Sequence, residues 1–124
     1  MNLVDSSGWL EYFADKPNAG QFARPLADAA SLVVPTVVMY EVFKVMLREA
    51  GEERALVAHA HMQQARTVDL TPDLAVQAAA LSHALRLPMA DSIILATARA
   101  HGAVLWTQDE HFKGQPDVRF FAAR

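Results

Sequence analysis

At 124 residues the chain has the length of one domain, residues 1–124, and is too short for two ordinary ones. It carries no cysteine, which excludes disulfides, thiolate metal ligands and a cysteine nucleophile. A formal net charge of -3 with a pI near 5.9 argues against a protein that coats nucleic acid by neutralising phosphates. A nuclease stays open, because an acidic site holding divalent cations presents positive charge locally.

The opening MNLVDSSGWLEYF has no basic n-region, and no apolar run approaches the roughly 20 residues needed to cross a bilayer. The expectation is an intracellular, cytoplasmic protein with neither signal peptide nor membrane span. Residues 1–4 (MNLV) predict a strand ending at Val4, with Asp5 at its carboxyl tip. A short helix follows over Trp9 to Ala14, capped by Ser6 or Ser7. Pro17-Asn18-Ala19-Gly20 breaks it, and a second helix runs through Ala30. Ser31 to Val34 is a compact β-branched run closed by Pro35, which suits a buried strand. Thr36 to Ala50 predicts a helix stopped by Gly51, and Glu52 to Ala65 another after a tight turn. Thr67 to Leu70 reads as a third strand. Pro72 suits the first position of a helix that reaches Leu85. After Pro88 a helix spans Ala90 to His101, Gly102 stops it, and Ala103 to Thr107 is the fourth strand. A turn from Asp109 and a last strand over Val118 to Phe121 complete the chain.

Strands alternating with helices imply an α/β domain: a small parallel sheet of four to five strands flanked by helices, with right-handed crossovers. In such open sheets ligands bind beyond the carboxyl ends of the strands. Asp5 and Asp109 both fall at that rim. Asp91 stands at the start of a helix, and Glu41 sits in the otherwise apolar run Val37-Val38-Met39-Tyr40-Glu41-Val42-Phe43. Each acid has a plain structural reading: Asp5 as a turn residue bonded to the Ser7 or Gly8 amide, Asp91 as a carboxylate suited to a helix N-terminus, Asp109 as part of a polar turn, Glu41 as a partner of Lys44. Their convergence on one predicted rim favours a shared role. Several carboxylates gathered there suit magnesium or manganese, and such a centre activates water and neutralises phosphate charge.

The segments carrying these acids resemble the motifs of PIN-domain ribonucleases, and specifically those of the VapC toxins of bacterial toxin–antitoxin pairs. Leu3-Val4-Asp5-Ser6-Ser7 with Trp9-Leu10 is similar to the first motif, and Val38 to Val42 to the helix that carries a glutamate. Met89-Ala90-Asp91-Ser92-Ile93-Ile94-Leu95-Ala96 resembles the third motif, and Leu105-Trp106-Thr107-Gln108-Asp109 with His111-Phe112 the last. The resemblance spans the whole chain. It implies a PIN-like three-layer sandwich and an endoribonuclease dependent on Mg2+ or Mn2+. It also implies that Asp5 and Asp91 are the principal metal ligands, that Asp109 completes the site, and that Glu41 binds metal directly or through water. Ser6 and Thr107 would steady these acids. A homodimer silenced by a small antitoxin follows from the same resemblance. Basic residues near the motifs are scarce; Lys44, Arg48 and Arg99 are the nearest candidates for an RNA backbone.

Other residues carry less. His59 and His61, two apart on a helix, point about 200° from one another and cannot easily share a metal. His111 is expected to be a turn residue donating to a backbone carbonyl, and His83 and His101 have no evident partner. Trp9, Tyr12 and Phe13 read as core or dimer contacts rather than base-stacking residues. No nucleophile elbow or glycine-rich phosphate loop is present. A metal-dependent phosphatase would want a second acid two residues after Asp5, where Ser7 stands. A PIN-like binding module without catalysis has no reason to keep all four acids.

Overall fold

The computed structural model describes residues 1–124, and the predicted α/β architecture is present: five parallel strands with six helices. In chain order these are β1 (Asn2–Val4), α1 (Ser6–Phe13), α2 (Ala19–Leu26), β2 (Leu32–Pro35), α3 (Thr36–Ala50), α4 (Glu52–Met62), β3 (Arg66–Val68), α5 (Pro72–Leu85), α6 (Met89–Ala100), β4 (Val104–Thr107) and β5 (Val118–Phe120). The sheet order is β3-β2-β1-β4-β5, with Leu3 paired to Val33 on one side and to Leu105 on the other.

Successive residues of a strand face opposite sides of the sheet. Leu3 and Val4, Val33 and Val34, and Leu105 and Trp106 are all buried, so helices cover both faces of the three central strands. That is the three-layer arrangement. The main core runs through it, with Trp9, Phe22, Ile94, Leu95 and Phe112 packed on the strand residues, and a smaller cluster of Leu74, Ala78, Ile93 and Ala96 joins α5 to α6. Gly8 makes the closest approach: a Cβ there would lie 2.5 Å from Val4 Cγ1 and 2.7 Å from the Phe22 ring. The residue at this point of α1 must therefore have no side chain. Gly51, at φ 91°, makes the sharp turn between α3 and α4.

Three local expectations are corrected. Asp5, not Ser6 or Ser7, caps α1, accepting from the Gly8 amide at 3.0 Å; its extended backbone lets the helix begin one residue later. The second helix ends at Leu26 rather than Ala30, its last ladder bond running from the Ala27 amide to the Ala23 carbonyl at 3.0 Å, and Ala29–Ser31 form a separate 3₁₀ turn before β2. α4 stops at Met62, three residues short of Ala65, so that Arg66 to Val68 can pair with Val33 to Pro35 as an edge strand. Tertiary pairing outweighs helix propensity there.

The order of strands positions the site. From β1 the chain builds outward through β2 to β3, then returns to add β4 and β5 on the other side of β1. A crevice opens at such a switch point, beyond the carboxyl ends of β1 and β4. Asp5 follows β1 and Asp109 lies two residues after β4.

Candidate metal centre at the sheet rim

Asp5 is 2 % exposed, and both of its oxygens are bonded. Oδ1 accepts from Ser7 Oγ at 2.6 Å and from the Gly8 amide at 3.0 Å, and Oδ2 accepts from Thr107 Oγ1 at 2.5 Å. Thr107 also accepts from the Asp109 amide at 2.8 Å, so one hydroxyl joins two of the acids. Glu41 is half-buried one and a half turns into α3 and accepts from Ser6 Oγ at 3.0 Å. Asp91 projects from the first turn of α6. Asp109 caps the 3₁₀ turn Glu110–Phe112, accepting from the His111 amide at 2.9 Å.

The four acids are electrostatically one group. Burial pushes Asp5 up to about 6 against three hydrogen bonds that lower it, and the charge of Asp109 adds to the rise. Asp91 is pushed up to about 7, first by burial and then by the charge and hydrogen bond of Asp109, with His111 opposing. Glu41 is raised by burial, lowered in part by its bond from Ser6, and raised again by Asp109. Asp109 thus acts on all three of the others.

His111 is the one cation-capable group inside this cluster. Its Nδ1 lies 3.0 Å from Asp91 Oδ2 and 2.9 Å from Asp109 Oδ1. This corrects the expectation of a backbone partner: the turn capped by Asp109 folds the ring back over the two carboxylates. The spacing Asp-x-His after a strand was the available signal. Ser7 was also missed, and the helix start that it shares with Asp5 was the clue to it. Ligand atoms of Asp91, Asp109 and His111 all lie within 4.8 Å of one another. Carboxylate oxygens suit a hard divalent cation, and a cluster whose carboxylates are pushed up by burial and by each other is short of positive charge. The residues fit such an ion.

Lys44 does not pair with Glu41; its ammonium sits 5.7 Å from the Tyr40 ring centre on the outer face of α3. That helix buries only Val38 and Val42, so Glu41 stands at its edge rather than within an apolar pocket. Arg48 is exposed, with Glu49 at 3.3 Å. Arg99 lies at the far end of α6, about 12 Å along the axis from Asp91, bonded to Gln115 at 3.3 Å. None of the three touches the cluster. His61 packs among Trp9, Tyr12 and Phe13 while His59 faces Phe43, so the two rings are well apart. Trp9 is core, with Tyr12 and Phe13 packed against it.

An open parallel α/β domain with an acidic cluster at its switch point is the class that fold and site define. The chain belongs to the PIN domain family, which its residues 3–117 match. Among solved structures it is similar to a toxin–antitoxin complex from Klebsiella pneumoniae, with a TM-score of 0.83 and 24% identity over 98% of this chain and 99% of that one. VapC20 of Mycobacterium tuberculosis, described as a Sarcin-Ricin loop cleaving toxin, gives 0.76 and 22% over 100% and 99%. A DNA-bound VapBC from Salmonella typhimurium gives 0.77 and 17% over 98% of both chains. At these identities the likeness is one of fold. No curated protein matches the chain.

Proposed function

We propose that this protein is a metal-dependent endoribonuclease and the toxin of a toxin–antitoxin pair. The observation that carries the reading is the convergence of Asp5, Glu41, Asp91 and Asp109 on one rim with only His111 to offset their charge. These four carboxylates would hold Mg2+ or Mn2+. When bound, such an ion supplies an activated water and neutralises charge on the scissile phosphate.

The chain's own residues orient the acids. Ser7, Gly8 and Thr107 fix both oxygens of Asp5, and Ser6 holds Glu41 by donating to its Oε1. Thr107 ties Asp109 to Asp5 through a single hydroxyl. The RNA backbone would approach over the cation, whose charge replaces the basic side chains the rim lacks. Lys44, three residues beyond Glu41 on α3, is the nearest of the three basic candidates; Arg48 and Arg99 would meet only a longer strand.

An antitoxin partner and a homodimer are part of this reading, and the solved neighbours include a toxin–antitoxin complex and DNA-bound VapBC and FitAB. Two apolar faces of this chain remain exposed. One, on α3 and α4, presents Tyr40, Leu47 and Leu56; the other presents Leu70 and Met89 around α5 and α6. No helix is long and apolar enough to cross a membrane. A toxin that cuts RNA would act in the cytoplasm, where its substrate is.

The test is Asp91→Asn. It should abolish cleavage of RNA in the presence of Mg2+ or Mn2+ while the fold, read by circular dichroism, stays intact. Mn2+ should raise the melting midpoint of the wild type and raise that of the variant less, because a ligand that favours the native state stabilises it. A variant that cuts RNA at the wild-type rate removes the enzyme reading.

A further inference from the structure

Behind the rim lies a second polar group. Glu11 on α1 and Asn18 before α2 are 8 % and 1 % exposed. Each oxygen of the Glu11 carboxylate accepts one bond, Oε2 from the Asn18 amide at 2.9 Å and Oε1 from Gln108 Nε2 at 3.2 Å. Asn18 Nδ2 donates to Gln108 Oε1 at 2.6 Å and to the Ala122 carbonyl at 2.9 Å, and Asn18 Oδ1 accepts from Arg124 Nε at 3.1 Å. The side-chain amide of Gln108 is therefore held at both its nitrogen and its oxygen.

Gln108 stands between Thr107 and Asp109, the two residues that carry β4 into the site. Its own backbone N–H donates to Ser7 Oγ at 3.0 Å, and Ser7 in turn donates to Asp5 Oδ1. A closed circuit results: Asp5, α1, Glu11, Gln108, then back to Asp5 through Ser7 and Thr107. Burying a carboxylate with no cation in ion-pair range costs stability, and anchoring the C-terminal residues through Asn18 would not require one. What Glu11 supplies is two acceptors, one for the backbone before α2 and one for the residue that follows β4.

We propose that Glu11 is a positioning residue: through Gln108 it fixes the Thr107–Asp109 segment against α1 and so sets how far Asp109 stands from Asp5. Its effect on cation binding rests on the nuclease reading above. Glu11→Gln keeps the volume but leaves one acceptor where two are needed. Its amide oxygen can take the Asn18 bond, and its amide nitrogen then faces the nitrogen of Gln108, so one bond of the circuit fails. Combining Glu11→Gln with Gln108→Glu restores it. In that double variant the amide on α1 donates to the carboxylate after β4, which still accepts from Asn18, and the total charge is that of the wild type.

Deuterium exchange followed by NMR reads the segment without any metal. In Glu11→Gln the Gln108 and Asp109 amides should exchange about tenfold faster or more, while Val104 and Leu105 in β4 are unchanged, because local opening is separable from global unfolding. Calorimetric titration with Mn2+ alone should show affinity weakened about 10- to 100-fold, the usual effect of losing a residue that orients metal ligands. The double variant should return both readouts toward the wild type. Unchanged loop amides, β4 amides accelerating equally, a double variant that restores nothing, or faster loop amides with unaltered Mn2+ affinity would each overturn the proposal. A wild type that binds no Mn2+ retires the nuclease reading instead, and the exchange data still decide whether Glu11 holds the segment.

Discussion

Asp5→Asn should stabilise the metal-free protein, and increasingly so as the pH rises. Asp5 is buried, and its carboxyl is pushed from 3.8 up to about 6. A unit of pKa corresponds to about 1.36 kcal/mol, so ionising Asp5 within the fold costs about 3 kcal/mol at pH 8. The sign follows from the direction of the shift. The folded state holds this proton more tightly than the unfolded chain, so stability is intact below the unfolded value near 4 and is lost as pH climbs through about 6. About half the loss has already occurred by pH 5. Asparagine cannot ionise. It remains a good cap for α1 and can still accept from the Gly8 amide and Ser7 with its one oxygen, though it presents an N–H2 to Thr107. That hydrogen-bond mismatch is the same at every pH, whereas the charge contribution is not.

The measurement is urea unfolding of both proteins with a chelator present, at pH 5 and pH 8. The stability of Asp5→Asn relative to wild type should grow by between about 1 and 2 kcal/mol from the lower pH to the higher. Glu41 and Asp91 are raised as well, but they titrate in both proteins and largely cancel in the difference. A difference that is flat with pH, or that falls, refutes the argument that burial and Asp109 hold Asp5 above its ordinary value.

Gly8→Ala should destabilise the fold by about 1 to 3 kcal/mol, since the added methyl meets Val4 and Phe22 well inside contact distance; thermal unfolding reads this directly. Thr107→Val keeps the shape of a fully buried side chain but leaves the Asp109 amide without its acceptor and Asp5 without a donor. It should cost about 1 to 3 kcal/mol in urea unfolding and move the Asp5 titration, followed by carboxyl NMR, above about 6.

Most of the fold could be read from the chain because its punctuation is chemical. Gly51, Pro72, Pro88 and Gly102 each mark an element boundary that the structure keeps. What could not be read was decided by contacts distant in sequence. Nothing local says that α4 yields three residues so that Arg66 can pair with Val33, against the helix propensity of the alanines that precede it. Asp5, Asp91 and Asp109 were visible because each stands where a strand ends or a helix begins, and Glu41 because it interrupts an apolar run. Their supports Ser6 and Thr107 came from the family resemblance and not from local pattern, because Ser6 reaches Glu41 across 35 residues and Thr107 reaches Asp5 across 102. His111 was misread because its partners, Asp91 and Asp109, belong to different elements. Glu11 was invisible, since an acid on an amphipathic helix is ordinarily solvated, and only the fold shows it buried.

Asp5 unites the architecture with the charge. The carboxylate that starts α1 by capping it is the one most deeply buried in the cluster, and its three donors come from the beginning of α1 and the end of β4. Those donors lower its pKa, yet burial prevails, so the metal-free fold retains an electrostatic penalty at neutral pH. The elements that open the crevice are thus the same ones that hold the charge within it, and neither can relax without undoing the other. A cation binding there would release that penalty as binding free energy, because the stability missing from the empty state and the affinity for the ion are two sides of one linkage.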